Sequence, residues 1–475
     1  MQVNDDLFDD KIKQKLKYEI NYIPDDINQK IDDAVKKIEK RRFNVKKVCS
    51  ICACCVGITL FLGMAMPTYA SNIPIIGSIF KMFNYKTYEN YDKYASDLNI
   101  TKESNGVKMT INKVVYDEIE LAVFYSIESE NEIKFEPRFP GAELKINGKT
   151  TTFSGGGPGK FSDDHKTYVG VMEYNVSKKN SVPKEVQEKT LLGGYVEIPD
   201  EFVFTLNINE IGTPDDSNSI KGKWNFNIPV NSEKIIGKVN EKECDIDLSN
   251  IASGYNIKKI ITTPLNTVIQ GTRMDEEDNS DDINFDVFDD KGRYIEGKSS
   301  EAIGHKDNDG NCIMYFNNNF KEIYDDTKSL TFIPYKYKFI GNDNSENNEN
   351  SNEITAKINF KGETKLYSND GTEYAVITKI QKENGKTKIY YKSEYGISIG
   401  PIEILNNKTG ENIVSFNTEY SGLDQKEATT YDYNSNEYVI TCDKEITEGD
   451  YSIKTVDQSK SIETYNNDKF TINIK

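Results

Sequence analysis

Histidine is scarce in this sequence of 475 residues, and the familiar catalytic signatures are missing. There are only two histidines, His165 and His305, and each lies in a polar, turn-like stretch. No G-x-S-x-G, H-E-x-x-H or Cys/His pairing is present. The sequence therefore supports no enzyme activity, and it predicts no catalytic residue and no cofactor. Carboxylate pairs that form only in space remain an open alternative.

The seven cysteines indicate neither a disulfide framework nor a metal site. Cys244, Cys312 and Cys442 are far apart and odd in number, so the large region that holds them must be stabilised by packed cores. The other four cluster between residues 49 and 55 and include a C-x2-C spacing, which zinc sites also use. This cluster lies in an apolar run with no histidine or second cysteine pair nearby. We therefore interpret these cysteines as small apolar residues of a helix.

One long stretch lacks charge altogether and predicts a membrane span. Asp, Glu, Lys and Arg are absent from Val48 to Ala70, and the apolar core runs from Val48 to Met66. A helix rises about 1.5 Å per residue, so this core just spans a hydrocarbon layer of roughly 30 Å. Pro67 ends it, which predicts a transmembrane helix over residues 48–67 in contact with membrane lipid.

Basic residues precede the span, and the first charge after it is Lys81. The positive-inside rule then places the N-terminus in the cytoplasm and the C-terminal region outside, as in a single-pass protein of the cell membrane. A signal peptide cleaved after Ala70 is the alternative. We favour the anchor because 47 residues precede the apolar core, far more than a usual charged leader.

Net charge is distributed unevenly about the span. The whole chain carries −18, but residues 1–47 hold 12 basic and 10 acidic side chains. The rest holds 47 basic and 67 acidic side chains, or −20. An acidic outer region argues against nucleic acid as a partner. It leaves a cell-envelope component or an unknown ligand as the outer partner.

Residues 1–47 carry two amphipathic helical patterns separated by Pro24. So short a segment cannot bury a sizeable core, so its apolar stripes need a partner. The predicted docking face for a cytoplasmic protein comprises Phe8, Ile12, Leu16, Ile27, Ile31 and Val35. A helical hairpin that merely precedes the anchor is the alternative. After the span, "SNIPIIGSIFKMF" predicts a juxtamembrane helix within residues 68–86.

Beyond residue 86 the pattern changes to alternating β-formers with Asn, Asp and Gly turns. Three stretches each predict a strand, a tight turn and a strand: "VKMTINKVVYDEIELAVFYSIE" (107–128), "YNIKKIITTPLNTVIQGTRM" (255–274) and "YAVITKIQKENGKTKIYYKSE" (374–394). Each opens a block that ends in another alternating strand, "GKWNFNIPV", "SLTFIPYKYKFI" or "KFTINIK". The blocks have the size of β-sandwich domains.

The predicted fold class is mainly β, with tandem immunoglobulin-like β-sandwich domains outside, an N-terminal α-helical arm and one transmembrane helix. The predicted outer domains are residues 87–231, 232–340 and 354–475, with a polar linker at 341–353. Trp224 is interpreted as sandwich core rather than as a ligand platform.

Two further motifs suggest ligands but are better explained as turns. "SGGGPGKF" (154–161) lacks the first Gly and the final Ser or Thr of a phosphate-binding loop, so a flexible hairpin loop is favoured. The acidic loops at 275–282 and 307–311 have calcium-binding chemistry, but Asp-Gly in the second is a hairpin signal.

The layout resembles a known family of membrane proteins. The arm with "YIPDDINQKIDDAVKKI", one span, "PTYASNIPIIGSIFKMF" and a β-rich outer part together resemble proteins of low-GC Gram-positive bacteria that carry the domain of unknown function 4179 (DUF4179). The strongest matching stretch is 45–85, continuing to about residue 231, and the middle domain resembles an immunoglobulin-like domain.

The arm resembles that of membrane-bound anti-sigma factors. This resemblance implies an envelope regulator whose arm holds an extracytoplasmic-function sigma factor until an outside signal arrives. Residues 1–47 depart from the zinc-binding anti-sigma pattern, because they contain no histidine and no cysteine. The rival interpretation is a structural or adhesive surface protein.

Overall fold

The structure is a computed structural model that describes residues 88–474, with gaps at 89, 152, 154, 180–181, 192–193, 213–218, 276–281, 308–309, 339–352, 400–401, 416–427 and 443. The chain divides into two units, Met1–Thr68 and Tyr69–Lys475, and every described residue belongs to the second. The predicted arm, span, juxtamembrane helix and all but the last residue of the linker lie outside the described residues. Among the described residues, no helix has the length and apolar character needed to cross a membrane.

The described chain is mainly β, as predicted, and its sheets are antiparallel. Helical segments are short. They are α1 (Tyr91–Tyr94), α2 (Lys184–Thr190) and two 3₁₀ turns at Gly396–Ile399 and Asn466–Asp468.

Two antiparallel sheets that share one core form the first sheet pair. Its strands are β1 (Ser96–Ser104), β2 (Val107–Tyr116), β3 (Glu120–Ser129), β4 (Glu143–Ile146), β5 (Lys149–Thr151), β6 (Gly155–Gly156), β7 (Gly159–Phe161), β8 (Thr167–Asn175), β9 (Glu201–Ile211) and β10 (Ile220–Asn231). One sheet has the order β1-β2-β3-β8-β6, with β7 also on β8, and the other has β10-β9-β4-β5. Trp224 is fully buried in the shared core and donates its indole N–H to the Val107 carbonyl oxygen at 3.0 Å, so it is core as predicted.

The second sheet pair has the same kind of core. Its strands are β11 (Asn240–Asp247), β12 (Asn256–Thr262), β13 (Asn266–Asp275), β14 (Asn284–Asp289), β15 (Tyr294–Ile295), β16 (Gly297–Lys306), β17 (Cys312–Lys321) and β18 (Ser329–Tyr337). One sheet has the order β11-β12-β13-β17-β16 and the other contains β15-β14-β18. Phe285, Phe316 and Phe332 are among the side chains buried between them.

The third sheet pair is built from the next part of the chain. Its strands are β19 (Glu353–Lys357), β20 (Thr364–Tyr367), β21 (Glu373–Glu383), β22 (Lys386–Ser393), β23 (Glu403–Asn406), β24 (Asn412–Ser415), β25 (Thr429–Asp432), β26 (Glu437–Cys442) and β27 (Tyr451–Val456). The sheets have the orders β20-β21-β22-β26-β25 and β19-β27-β23-β24. Ile389, Ile404 and Ile453 are fully buried between them.

The internal repeat predicted from the sequence is present as a repeated topology. The three predicted hairpins are the antiparallel pairs β2–β3, β12–β13 and β21–β22. In each sheet pair the hairpin takes the second and third positions of one sheet, and the fourth position is filled by a later strand, β8, β17 or β26. The strand, turn and strand pattern of the sequence therefore identified the same element three times.

The end of the chain differs from the predicted block structure. Residues 354–475 were expected to form the third domain, but β28 (Ile462–Thr464) and β29 (Phe470–Asn473) pair with β18 of the second sheet pair. Phe470 stacks on Phe332 with ring centroids 5.1 Å apart, and Ile472 is buried in the second core. The strand pattern of "KFTINIK" is as predicted, but alternation does not specify which sheet edge a strand joins.

The second and third sheet pairs also share a packed contact. Phe288 of β14 and Ile333 of β18 belong to the hydrophobic cluster of the third pair rather than to the second core. The sheet that contains β14 and β18 therefore packs apolar side chains on both of its faces. At the same contact the backbone N–H of Tyr431 donates to the Gly292 carbonyl oxygen at 2.5 Å.

Candidate functional site

The six residues predicted to form the docking face, Phe8, Ile12, Leu16, Ile27, Ile31 and Val35, lie outside the described residues. Within the described part of the chain, the most concentrated buried charge lies where the first and second sheet pairs meet. We call this region the junction and define it by Asp117, Glu120, Glu173, Asn266 and Lys298.

Two of the repeated hairpins meet at the junction by their turns. Asp117 follows β2, and one of its carboxylate oxygens accepts the backbone N–H groups of Ile119 at 3.0 Å and Glu120 at 2.8 Å. Its other oxygen accepts the Thr263 hydroxyl and the Asn266 side-chain amide, the latter at 2.8 Å. Asp117 thus closes its own turn and holds the turn of the next hairpin at the same time.

Asp117 is completely buried, and this shapes its acidity. Burial raises the pKa of this carboxyl, and the nearby charge of Glu120 raises it further. The hydrogen bonds from Thr263, the Glu120 backbone and Asn266 act in the opposite direction without cancelling the rise.

Lys298 of β16 crosses from the second sheet pair into the first. The register of β16 with β17 shifts between Gly297 and Ser299, so Lys298 has no direct partner across the ladder. Such irregularities re-aim a side chain, here into the junction. The ammonium contacts the Glu120 carboxylate at 2.8 Å and donates to the Asn266 side-chain oxygen at 2.9 Å.

The Lys298 side chain is only 11% exposed, so its charge has little access to water. Burial lowers its pKa, but the charges of Glu120 and Glu173 outweigh this effect, so the pKa of Lys298 is raised. The ammonium also donates to the Tyr91 hydroxyl at 3.1 Å, and that hydroxyl donates to Glu120 at 3.0 Å.

Glu173 of β8 is the less well paired carboxylate. It lies 3.8 Å from the Lys298 nitrogen and accepts the Tyr88 hydroxyl at 3.1 Å. Burial raises the pKa of Glu173, and the charge of Glu120 adds to the rise while Lys298 opposes it. Glu120 and Glu173 therefore compete for one ammonium.

Aromatic and aliphatic side chains surround these charges. Tyr88, Tyr91 and Phe124 contact one another edge to face, with centroid separations of 5.1 to 6.0 Å. Leu265 of the second hairpin turn joins the same hydrophobic cluster. This apolar surrounding keeps the dielectric low and strengthens each electrostatic contact.

A cleft of about 370 Å³ opens beside the junction. Its lining includes Glu120, Glu173, Asn175, Asn266, Lys298, Ser299, Ser300, Glu301, Asn319 and the two glycines of β6. Edge strands of two different sheet pairs thus face each other across it. Its charged lining residues are three glutamates and one lysine, so it suits a cationic or hydrogen-bonding ligand.

Sequence reasoning did not single out these junction residues. The one signal was "YDEIEL" (116–121), which puts three acids at the turn of an otherwise apolar hairpin. Lys298 carried no signal at all, because only the fold brings it to that turn, 178 residues away from Glu120.

Two other sequence motifs form ordinary β structure. Residues of "SGGGPGKF" form β6 and β7, and both strands pair with β8. Asp307 and Gly310 lie in the turn between β16 and β17, where Gly310 has φ of 89°, as a turn predicts. Among the described residues, no group of three or more His, Cys, Asp or Glu side chains is placed to hold a metal ion.

The comparisons with known proteins identify two families of unknown function. Residues 40–129 match the family model "Domain of unknown function (DUF4179)", and residues 238–367 match "Family of unknown function (DUF5643)". The second match covers β11 to β18 and continues through β20. No curated protein matches this sequence.

A solved structure titled "The crystal structure of the conserved domain protein from Bacillus anthracis" is similar at 20% sequence identity and a TM-score of 0.42. The likeness covers 85% of this chain and 100% of that one. The first family match includes β1, β2 and β3, so it contains the Asp117 turn of the junction. The predicted resemblance to the DUF4179 family is therefore confirmed, and residues 40–129 are the part of this chain that matches it.

Proposed function

We propose that this protein is a single-pass, anti-sigma-factor-like membrane regulator that couples an outer β-rich sensor to a cytoplasmic extracytoplasmic-function sigma factor. In this proposal residues 1–47 are a helical arm in the cytoplasm and residues 48–67 are the span. The three sheet pairs are immunoglobulin-like domains outside the cell. The role is regulatory rather than enzymatic.

The observation that carries the proposal is the polar junction between the first two sheet pairs and the cleft beside it. A ligand can shift an equilibrium between two arrangements only by binding one of them better. A cleft whose walls belong to two sheet pairs meets that requirement, since a change in the angle between them changes its shape. The first sheet pair is also the one that follows the proposed span most closely in sequence.

The proposed docking face supports the cytoplasmic half of the mechanism. Ile27 and Ile31 lie one helical turn apart in sequence, so both fall on one stripe of an amphipathic helix. An apolar stripe on a segment too short to bury it is stabilised by a partner helix or groove.

The test is capture of a sigma factor by the full-length chain in detergent extracts of the source cell. The variant Ile27→Asp/Ile31→Asp places two charges in the stripe and should abolish capture while leaving membrane insertion intact. The matched control is Asn28→Asp/Gln29→Asp, which adds the same charge beside the stripe and should retain capture.

Capture that persists in the Ile27→Asp/Ile31→Asp variant would contradict the proposed docking face. Absence of any sigma factor from the wild-type extract would favour the alternative, a structural or adhesive surface protein with an outer envelope partner.

A further inference from the structure

The junction holds more negative than positive charge. Asp117, Glu120 and Glu173 bring three carboxylates to it, and Lys298 brings one ammonium. Buried charges are stable only when they are paired, and an uncompensated one is costly. The arrangement is therefore short of positive charge whenever all three acids are ionised.

The strand register explains why the two glutamates conflict. Glu120 lies opposite Asn175 and Ala122 lies opposite Glu173 in the β3–β8 ladder. The two glutamates are thus diagonal neighbours on one face of the sheet, where like charges destabilise it.

Lys298 does not neutralise the two glutamates equally. Its ammonium is 2.8 Å from Glu120 but 3.8 Å from Glu173, and its remaining contacts are to Asn266 and Tyr91. Glu173 keeps one hydrogen bond from Tyr88 and is only 20% exposed.

We propose that Glu173 is a proton-binding site that makes the junction between the first and second sheet pairs more stable as the pH falls. Protonation leaves a neutral carboxyl beside an intact Glu120–Lys298 pair and removes the repulsion between the two glutamates. The outer region would then sense pH directly. This inference concerns the junction alone and does not rest on the cytoplasmic partner.

The titratable groups packed around Glu173 are consistent with its role as a proton-binding site. The titratable groups that face it are Glu120 of β3, Tyr88 and Tyr91 of the segment before β1, and Lys298 and Glu301 of β16, with Asp117 behind Glu120. β6 contributes only glycine at this point. Among these groups Lys298 is the single cation, and its raised pKa keeps it charged throughout the relevant range.

The direction of the effect follows from proton linkage. The pKa of Glu173 is raised above its ordinary value of 4.5, so the folded state binds this proton at a pH where the unfolded chain does not. Stability linked to Glu173 therefore increases as the pH falls toward that ordinary value and decreases as the pH rises.

The experiment measures the melting midpoint of the full-length chain in detergent between about pH 7.5 and about pH 5. The variant Glu173→Gln imitates the protonated form. It should melt about 2 °C higher than wild type at the upper pH and should show a smaller rise on acidification, because the Glu173 share of that rise is lost. The control Glu188→Gln, on the exposed side of α2, should keep the wild-type pH dependence.

A second variant tests the same site in the opposite direction. Lys298→Met removes the only cation, so its midpoint should gain more on acidification than that of wild type. Glu173→Gln with an unchanged wild-type pH dependence would overturn the proposal. A midpoint that rises with added Ca²⁺ at constant pH, and not with protons, would also overturn it.

Discussion

Single side chains at the junction have roles that their residue types alone do not reveal. Asp117 is an ordinary turn residue by sequence, yet it accepts hydrogen bonds from two backbone amides and two side chains. Its second oxygen has no solvent contact and accepts hydrogen bonds from the Thr263 hydroxyl and the Asn266 side-chain amide of the next hairpin. One carboxylate therefore ties two sheet pairs together.

Replacing Asp117 with asparagine should destabilise the junction by about 1–3 kcal/mol, because a side-chain N–H₂ group would face donors and leave them unsatisfied. Urea unfolding of the full-length chain measures this loss. The control is Asp163→Asn, at an exposed turn position. Equal stability of the two variants would show that the Asp117 contacts contribute nothing.

A second residue-scale prediction concerns Gly292, at the contact between the second and third sheet pairs. Gly292 has φ of 74°, and a Cβ atom there would overlap the Tyr431 carbonyl oxygen. Gly292→Ala should therefore cost more than the roughly 1 kcal/mol that a positive φ alone costs.

The matched control is Gly371→Ala, because Gly371 has φ of 85° but no atom within 4 Å of the added Cβ. Thermal unfolding of both variants separates the steric overlap from the backbone strain. If both lose the same stability, the overlap with Tyr431 is relieved by a small shift and the contact is not rigid.

At the scale of elements, the C-terminal strands connect distant parts of the chain. β29 pairs with β18 from Ser329↔Asn473 to Phe332↔Phe470, although the whole third sheet pair lies between them in sequence. The third pair is thus inserted between two strands of the second. The core that β29 completes is the one containing Phe285 and Phe332.

Ile472→Asp should therefore unfold the edge of the second sheet pair and destabilise the third pair less. An unpaired carboxylate buried in place of Ile472 should cost about 3–5 kcal/mol. Hydrogen exchange by mass spectrometry should show a larger increase in exchange in β14 and β18 than in β21 and β22. The control Asn473→Asp, at an exposed position, should leave both protected.

If Ile472→Asp exposes β21 and β22 first, the last strand stabilises the third sheet pair instead. That result would contradict the strand pairing and would restore the domain boundary predicted from the sequence.

At the scale of the whole molecule, the insertion should couple the second and third sheet pairs. The folded third pair holds β18 and β28 at a short distance, whereas an unfolded one would be a long loop with a larger closure entropy. Phe288 and Ile333 would also lose the cluster in which they pack. Both effects destabilise the second sheet pair when the third unfolds.

Ile453→Ala, in the third core, should therefore lower the stability of both pairs, by about 2–5 kcal/mol in the third and by less in the second. Hydrogen exchange in β18 and β22 measures both responses. The control Ile208→Ala, in the first core, should leave β18 protected. Unchanged exchange in β18 of Ile453→Ala would show that the two pairs unfold independently.

The sequence by itself determined the elements that local sequence patterns specify. Runs of β-branched and aromatic residues, separated by Asn, Asp and Gly turns, specified the mainly β class and all three hairpins. Residue type placed Trp224 in the core, because a large aromatic side chain is more often core than a ligand platform. The resemblance that identified the DUF4179 family also depended on local stretches of sequence.

Only the tertiary structure decided which edges and turns meet. Backbone hydrogen bonding is the same at every sheet edge, so it does not decide which edge β29 joins. β29 joins the second sheet pair rather than the third because Phe470 and Ile472 pack in the second core. Lys298 reaches Glu120 because the fold brings two hairpin turns together and a shift in register turns the lysine toward them. Electrostatic contacts between residues far apart in sequence leave no periodic trace, so the junction could be found only in three dimensions.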